Sequence, residues 1–210
     1  MKRLVASALA LFALCLLAGC ATPDKPTRAT LYDFGPGAAA ASSTAQAAGA
    51  PLVLGDVEAT SALDGSAVLY RLGYADENQL LPYARARWSA PPSQLIRQRL
   101  REQLAAQGPV LDPGESAGLA RSAGAAPRIL RIDLEEFSQI FEAPAVSWGL
   151  LRLRATLLEN TVAGERLLAQ RSIVVRRPAP TPDAPGGVRA LAAATDAAAQ
   201  EIAQWLAQQH

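Results

Sequence analysis

The stretch that decides the fold reads Arg128-Ile129-Leu130-Arg131-Ile132-Asp133-Leu134, and two similar runs follow it at residues 148–159 and 165–177. Apolar and polar residues alternate in each run, as they do in a β-strand that buries one face. The links at Ala143-Pro144 and Ala163-Gly164 are short, which predicts an antiparallel meander. The alternation changes phase at Glu135-Glu136, so we expect a β-bulge there, with Phe137 and Phe141 beyond it.

Shorter strand patterns precede the meander. Residues 52–57 and 67–72 are predicted to be neighbouring strands, with a turn at Asp64-Gly65 between them. Residues 79–88 form a third candidate, in which Pro82 suggests an edge position. Residues 31–34 alternate in the same way and predict a short edge strand.

Two helices complete the expected domain. Pro91-Pro92 is typical of a helix start, and Gly108-Pro109 ends the pattern. Near the C-terminus, apolar residues recur at intervals of three and four and predict a buried helical stripe: Val188, Leu191, Thr195, Ala198, Ile202 and Trp205. The sum is an α/β domain, with a mixed, largely antiparallel sheet and at least two packed helices.

The N-terminus carries a targeting signal. Met1-Lys2-Arg3 precedes an apolar run at residues 4–17, which is too short to cross a bilayer core of about 30 Å comfortably but suits a signal peptide. The run ends in Leu17-Ala18-Gly19-Cys20, which resembles the bacterial lipobox. We expect cleavage after Gly19 and diacylglycerol plus an N-acyl chain (palmitate) on Cys20, with no other cofactor. The alternative is an ordinary secretory signal with a coincidental cysteine.

These features predict the domain organisation and the location of the protein. Residues 1–19 are the expected signal peptide, residues 20–30 the lipidated cysteine and tether, and residues 31–208 the folded domain. Within that domain, the Ala- and Gly-rich residues 37–50 are expected to be a mobile loop. Ala21 stands where Asp would favour retention in the inner membrane of a Gram-negative bacterium. We therefore expect a lipid anchor on the periplasmic face of the outer membrane.

Composition and residue supply argue against several function classes. A formal net charge of +1 does not suit a nucleic-acid binder. His210 is the only histidine, and Cys15 lies in the expected signal peptide, so we expect no catalytic triad, no Cys–His pair and no His/Cys metal cluster. Glu135 and Glu136 are adjacent in a strand, so they point to opposite faces and cannot flank one bond. The acids of the turn at 112–115 are expected to be ordinary surface groups, and we predict no enzyme activity.

The arginines allow two interpretations. One group surrounds the first predicted helix and could meet anionic phospholipid head groups or form surface ion pairs: Arg85, Arg87, Arg97, Arg99 and Arg101. Arg152 and Arg154 are expected to pair across strands with Asp133 or Glu135.

Several segments in order resemble the ABC-type transport auxiliary lipoprotein family, which includes the paraquat-inducible protein C lipoproteins. They are the lipobox Cys20, Leu31-Tyr32-Asp33-Phe34-Gly35-Pro36, residues 67–71, and Ala86-Arg87-Trp88-Ser89-Ala90-Pro91-Pro92 with the helix that follows. Ser89 and the insertion at 37–50 depart from the family pattern.

The resemblance implies a domain similar to the anticodon-binding-like or TolB N-terminal fold. It also implies partnership with an ABC permease and ATPase and with a protein of the mammalian-cell-entry (MCE) type, in a system that moves lipids between membranes. The expected role is an outer-membrane docking adaptor, with Arg87 and Trp88 at the contact. Two alternatives are a carrier domain that itself binds lipid, with phospholipid as the candidate ligand, and a structural envelope lipoprotein.

Overall fold

A computed structural model describes residues 28–36, 51–115 and 127–209 of the chain. The predicted signal peptide, the predicted lipidation site Cys20, most of the predicted tether and the predicted loop at 37–50 lie outside the described residues. The described part contains eight strands and two long helices. They are β1 (Thr30–Tyr32), β2 (Leu52–Ala59), β3 (Ala67–Leu72), β4 (Asp76–Trp88), α1 (Pro92–Leu104), β5 (Val110–Leu111), β6 (Arg128–Ala143), β7 (Val146–Thr161), β8 (Gly164–Pro178) and α2 (Ala184–Ala207).

The predicted meander is confirmed as β6, β7 and β8, which pair antiparallel over almost their whole lengths. The predicted bulge is also present. Leu134 pairs with Leu153 and Glu136 pairs with Arg152, so Glu135 is the extra residue of β6. The buried apolar positions of β6 are even-numbered up to Leu134 and odd-numbered from Phe137 onward. The bulge causes this shift, as the change of phase in the sequence indicates.

The prediction that β2 and β3 are neighbours is wrong. Both strands run parallel to β6: β2 pairs along residues 128–134 and β3 along residues 139–141. Because β7 occupies the opposite edge of β6 throughout, β2 and β3 must share one edge, one after the other. The chain therefore continues in one direction through Asp64-Gly65 and does not reverse there.

The remaining strands extend the sheet outward from β2 and β3. β4 returns antiparallel to β3, β1 pairs parallel with the end of β4, and β5 pairs with β2. At Pro82, β4 has a neighbouring strand on one side only, which is β3, because β1 pairs only with residues 86–88. Pro82 therefore has the edge position that was expected. The fold class is confirmed as mixed α/β.

Both helices pack against the sheet, and all six residues of the predicted stripe on α2 are buried. α2 lies close to β7 because Gly149 has no side chain. A Cβ atom at Gly149 would lie 2.7 Å from the backbone of Ala190 and Leu191. α1 begins with Pro92 in its first turn, as predicted, and contacts β2 and α2. Among the described residues, no helix is both long and apolar enough to cross a membrane.

Candidate partner-binding surface

The region predicted to contact a partner contains one buried and one half-buried residue. Trp88 is only 2% exposed and packs edge-on against Phe34, with 5.4 Å between ring centroids. Phe137 lies 5.6 Å from the same indole. Trp88 is therefore a core residue of this fold, and a partner at this place would meet Arg87 and its neighbours instead. The guanidinium of Arg87 donates to the carbonyls of Tyr83 and Ala86 on its own strand.

Arg99 of α1 is the charged side chain that holds the N-terminal strand to the body of the domain. It is 5% exposed, and its guanidinium donates to the carbonyl oxygens of Phe34 (2.7 Å) and Gly35 (3.2 Å). It also forms an ion pair of 3.0 Å with Asp196 on α2. A small polar pocket of about 150 Å³ lies beside these groups. Arg99 thus ties the residues that follow β1 to α1 and, through Asp196, to α2.

The other arginines near α1 are also engaged, with one exception. Arg97 donates to Asp112 and to the carbonyls of Leu54 and Gly55, and Arg101 lies 3.0 Å from the second oxygen of Asp112. Arg85 has no ion-pair partner within the described part of the chain. The ion-pair interpretation therefore holds for Arg97, Arg99 and Arg101, whereas Arg85 and Arg87 have no carboxylate partner within the described residues.

The acidic residues considered for chemistry are used in structural contacts. Glu135 pairs with Arg154 on the open face of the sheet, as predicted. Glu136 is buried, accepts a hydrogen bond from Ser138 Oγ at 2.6 Å and pairs with Arg71 at 3.0 Å. The bulge places Glu136 opposite Arg152, and Glu135 also pairs with Arg152. The two carboxylates therefore lie on the same face of the sheet, and the expectation of opposite faces is wrong; each is held in its own ion pair.

The turn that follows β5 uses its acids in the same way. The hydrogen bond from Arg97 holds the pKa of Asp112 below its usual value, and Arg101 adds to that effect. Glu115 accepts a hydrogen bond from the backbone N–H of Asp112. Within residues 28–36, 51–115 and 127–209, no group of three His, Cys, Asp or Glu side chains could hold a metal ion.

A buried polar chain links three strands behind the start of α2. The Tyr83 hydroxyl donates to Gln139 Oε1 at 2.8 Å, and the Gln139 amide donates to Ser147 Oγ at 2.8 Å. Burial raises the pKa of Tyr83, so its hydroxyl keeps its proton and remains a donor. These hydrogen bonds thus give the buried polar side chains of Gln139 and Ser147 their partners.

The outer edge of β8 forms one side of a groove. Within the described residues, β8 pairs only with β7, and its other edge borders a groove beside α2. The groove has a volume of about 480 Å³. It is lined by Arg171, Val174, Val175, Arg176 and Arg177 from β8 and by Ala197, Gln200, Glu201 and Gln204 from α2. We call this the β8 groove. The sequence predicted β8 but gave no sign that it would be the last strand of the sheet.

A second cleft lies where α1 and α2 end. It has a volume of about 380 Å³, and apolar side chains supply much of its wall, among them Leu52, Leu104, Val110 and Leu206. Arg128 lines the same cleft and donates to the carbonyl of Gln209 at 2.7 Å.

Comparison with known proteins identifies the class. The profile of the ABC-type transport auxiliary lipoprotein component family matches residues 32–203. The chain belongs to this family, as its sequence motifs indicated, and is therefore a lipoprotein component associated with the cell envelope and with ABC-type transport. No curated protein sequence matches this chain.

Solved structures share the fold. A protein of Xanthomonas campestris, assigned to the DUF330 family, is 18% identical with a TM-score of 0.66, and the match covers 85% of this chain and 94% of that one. An uncharacterized protein is 14% identical with a TM-score of 0.61, covering 86% and 99%. A hypothetical protein of Chlamydia trachomatis is 10% identical with a TM-score of 0.51, covering 77% and 98%.

Proposed function

We propose that this chain is a non-catalytic docking component of an MCE-type ABC transport system that moves lipids between the inner and outer membranes. In this proposal, the acylated Cys20 holds the domain at the periplasmic face of the outer membrane. The domain then binds the MCE protein or the permease. The observation that carries the proposal is the family match over residues 32–203, whose description is an auxiliary component of ABC-type transport.

The arrangement of polar groups supports a role in binding over a role in catalysis. The acids that the sequence offered as candidates for chemistry are held in ion pairs, as Glu136 is by Arg71 and Asp112 by Arg97 and Arg101. Ser147 accepts its hydrogen bond from an amide, which cannot act as a general base. The remaining candidate sites are surfaces, and at the β8 groove a strand edge without a neighbour among the described residues lies beside exposed side chains.

The attachment of β1 suits a domain that is held by its N-terminus. β1 pairs with residues 86–88, Phe34 packs on Trp88, and Arg99 grips the carbonyls of Phe34 and Gly35. A tether of about ten residues before β1 gives a reach of roughly 15–20 Å. Anchoring then raises the effective concentration of the domain for a partner near the same membrane.

The cleft at the ends of α1 and α2 supports a second candidate function, that of a lipid-binding carrier. Its apolar wall suits an acyl chain. Its volume of about 380 Å³ is near the lower limit of pockets that bury a small molecule, about 300 Å³. This favours docking as the main proposal, since a carrier of two-chain lipids needs more enclosed apolar space.

The test is an affinity pull-down from detergent-solubilised envelopes, with a C-terminal tag on the wild-type chain and on the Cys20→Ala variant. We expect an MCE protein or a permease with the wild type and a lower yield with the variant. Phospholipid in the eluate without any transport component would favour the carrier. Neither a transport component nor lipid would contradict both functions.

A further inference from the structure

The outer edge of β8 is long, and no strand of the described part of the chain lies beside it. β8 has 15 residues, and its pairing with β7 runs from Gly164 opposite Thr161 to Pro178 opposite Trp148. Strands in globular proteins usually have about 5–6 residues. The second edge of β8 therefore presents a long row of backbone donors and acceptors, a ready template for another strand.

The half of β8 that borders the groove combines this backbone edge with exposed apolar surface. Val174 is 58% exposed. An added strand would lie about 4.8 Å from β8, alongside the groove wall formed by Ala197, Gln200 and Gln204 of α2. The groove thus offers main-chain pairing on one side and a helix wall on the other.

The charge of the groove indicates what kind of strand would fit. Its lining contains three arginines but only one acid, Glu201, which lies 2.7 Å from Arg171. Arg176 and Arg177 have no carboxylate partner within the described residues. Arg176 pairs with Leu150 and Arg177 with Gly149, so the two guanidinium groups are carried on opposite faces of the strand. An acidic segment would neutralise both, one on each face.

The same charges disfavour a second copy of this chain as the occupant. Two β8 edges side by side would bring together Arg176 and Arg177 of both copies, whereas Arg166 and Arg171 are already paired with Glu159 and Glu201. Like charges opposite each other destabilise strand pairs. A partner strand rich in Asp and Glu gains at Arg176 and Arg177, whose charges have no carboxylate partner within the described residues.

We propose that the β8 groove binds an extended, acidic segment of the transport partner, which adds to the sheet as a further strand beside β8. This inference rests on the proposed function, because it takes the partner to be a component of the transport system. Backbone pairing supplies the affinity, and Arg176 and Arg177 select for acidic residues.

The experiment is photo-crosslinking in cells that express the tagged full-length chain. A benzophenone amino acid replaces Val174, and a control chain carries it at Tyr74, which is exposed in the turn between β3 and β4. We expect a crosslink from position 174 to an acidic segment of an MCE protein or permease, identified by mass spectrometry, and none from position 74. Arg176→Glu is expected to lower the crosslink yield about tenfold by reversing a contact charge. Arg176→Lys keeps most of the yield, and Arg131→Glu, the same charge change at an exposed strand arginine outside both candidate surfaces, leaves it unchanged.

The outcomes separate this inference from the proposed function. If a transport component co-purifies but position 174 gives no crosslink, or Arg176→Glu changes nothing, the groove proposal is overturned while the proposed function stands. A crosslink only to a second copy of the chain, or only to phospholipid, also overturns it. If no transport component co-purifies, the proposed function fails and this inference fails with it.

Discussion

Arg71 on β3 donates a hydrogen bond of 3.0 Å to Glu136 on β6, although the two residues are 65 positions apart in the sequence. The same guanidinium donates to the carbonyls of Glu77 and Asn78 at the start of β4. The side chain of Glu136 is mostly buried, and Ser138 supplies it with a second hydrogen bond. The contact joins β3, β4 and β6 beyond the bulge at Glu135.

Removing one partner of this ion pair is expected to cost more than removing one partner of an exposed pair on the same strands. Arg71→Met leaves the buried carboxylate of Glu136 without its cation, so we expect a loss of about 2 kcal/mol in the free energy of unfolding. Arg154→Met breaks the exposed pair with Glu135 and should cost less than about 1 kcal/mol. Urea unfolding of both variants measures the difference, and equal losses would contradict the role given to Arg71.

Gly149 is expected to tolerate no side chain. Its place beside the backbone of Ala190 and Leu191 leaves no room for a methyl group, so Gly149→Ala must push α2 from β7. We expect a loss of about 1–3 kcal/mol. Gly65→Ala is the matched control, because no heavy atom lies within 4 Å of its added Cβ. Thermal unfolding of the two variants gives the comparison; similar transition midpoints would mean that α2 does not pack as described.

Asp183 is expected to stabilise the start of α2 in a pH-dependent way. Its carboxylate accepts hydrogen bonds from the Thr181 hydroxyl and from the Gly186 N–H at 2.8 Å, and these hold the pKa of Asp183 below its usual value. A lowered pKa in the folded state means that the contribution is present at neutral pH and is lost as the pH falls below about 4. Asp183→Ala should cost about 1 kcal/mol at pH 7.

The control for this prediction keeps the cap but removes the charge. Asp183→Asn retains a side-chain oxygen as acceptor and should be less destabilising than Asp183→Ala at pH 7. The gap in stability between wild type and Asp183→Ala should narrow on acidification from pH 5 to about pH 3. A gap that stays constant with pH would show that the ionised carboxylate contributes nothing.

Arg99 is expected to control the order of the N-terminal strand. Arg99→Met removes the donors to the carbonyls of Phe34 and Gly35, so hydrogen exchange at the Gly35 amide should become faster while β7 stays protected. Arg97→Met, on the same helix, removes contacts to Leu54, Gly55 and Asp112 and should leave Gly35 unchanged. Native-state hydrogen exchange by mass spectrometry distinguishes the two variants. Equal exchange rates at Gly35 in both variants would contradict the role of Arg99 in holding this segment.

Sequence patterns predicted what is local in this fold. Alternation revealed the three strands of the meander and even the bulge at Glu135, because each residue reports the face on which it lies. The helical spacing of the apolar residues likewise predicted the buried stripe on α2. Alternation does not show which strands pair with each other. Their order in the sequence predicts that β2 and β3 are neighbours, but both pair with β6.

The candidate site was harder to predict, for a related reason. Trp88 is a core residue because Phe34 and Phe137 approach it from distant positions in the chain. Nothing in the sequence distinguishes Arg99 from the other arginines near α1. Its contacts are with Phe34 and Asp196, which are distant from it in the sequence. That β8 is an edge strand depends on the order of the whole sheet, which no local pattern carries.

The central claim is that this chain works as part of a transport system, and a genetic test addresses it most directly. Outer-membrane permeability to a hydrophobic dye is measured in strains lacking this chain, the transporter ATPase, or both. If the chain is an obligatory adaptor, each single deletion raises permeability by the same amount, and the double deletion is no worse than either. A wild-type barrier without this chain, or an additive defect in the double deletion, would contradict the account.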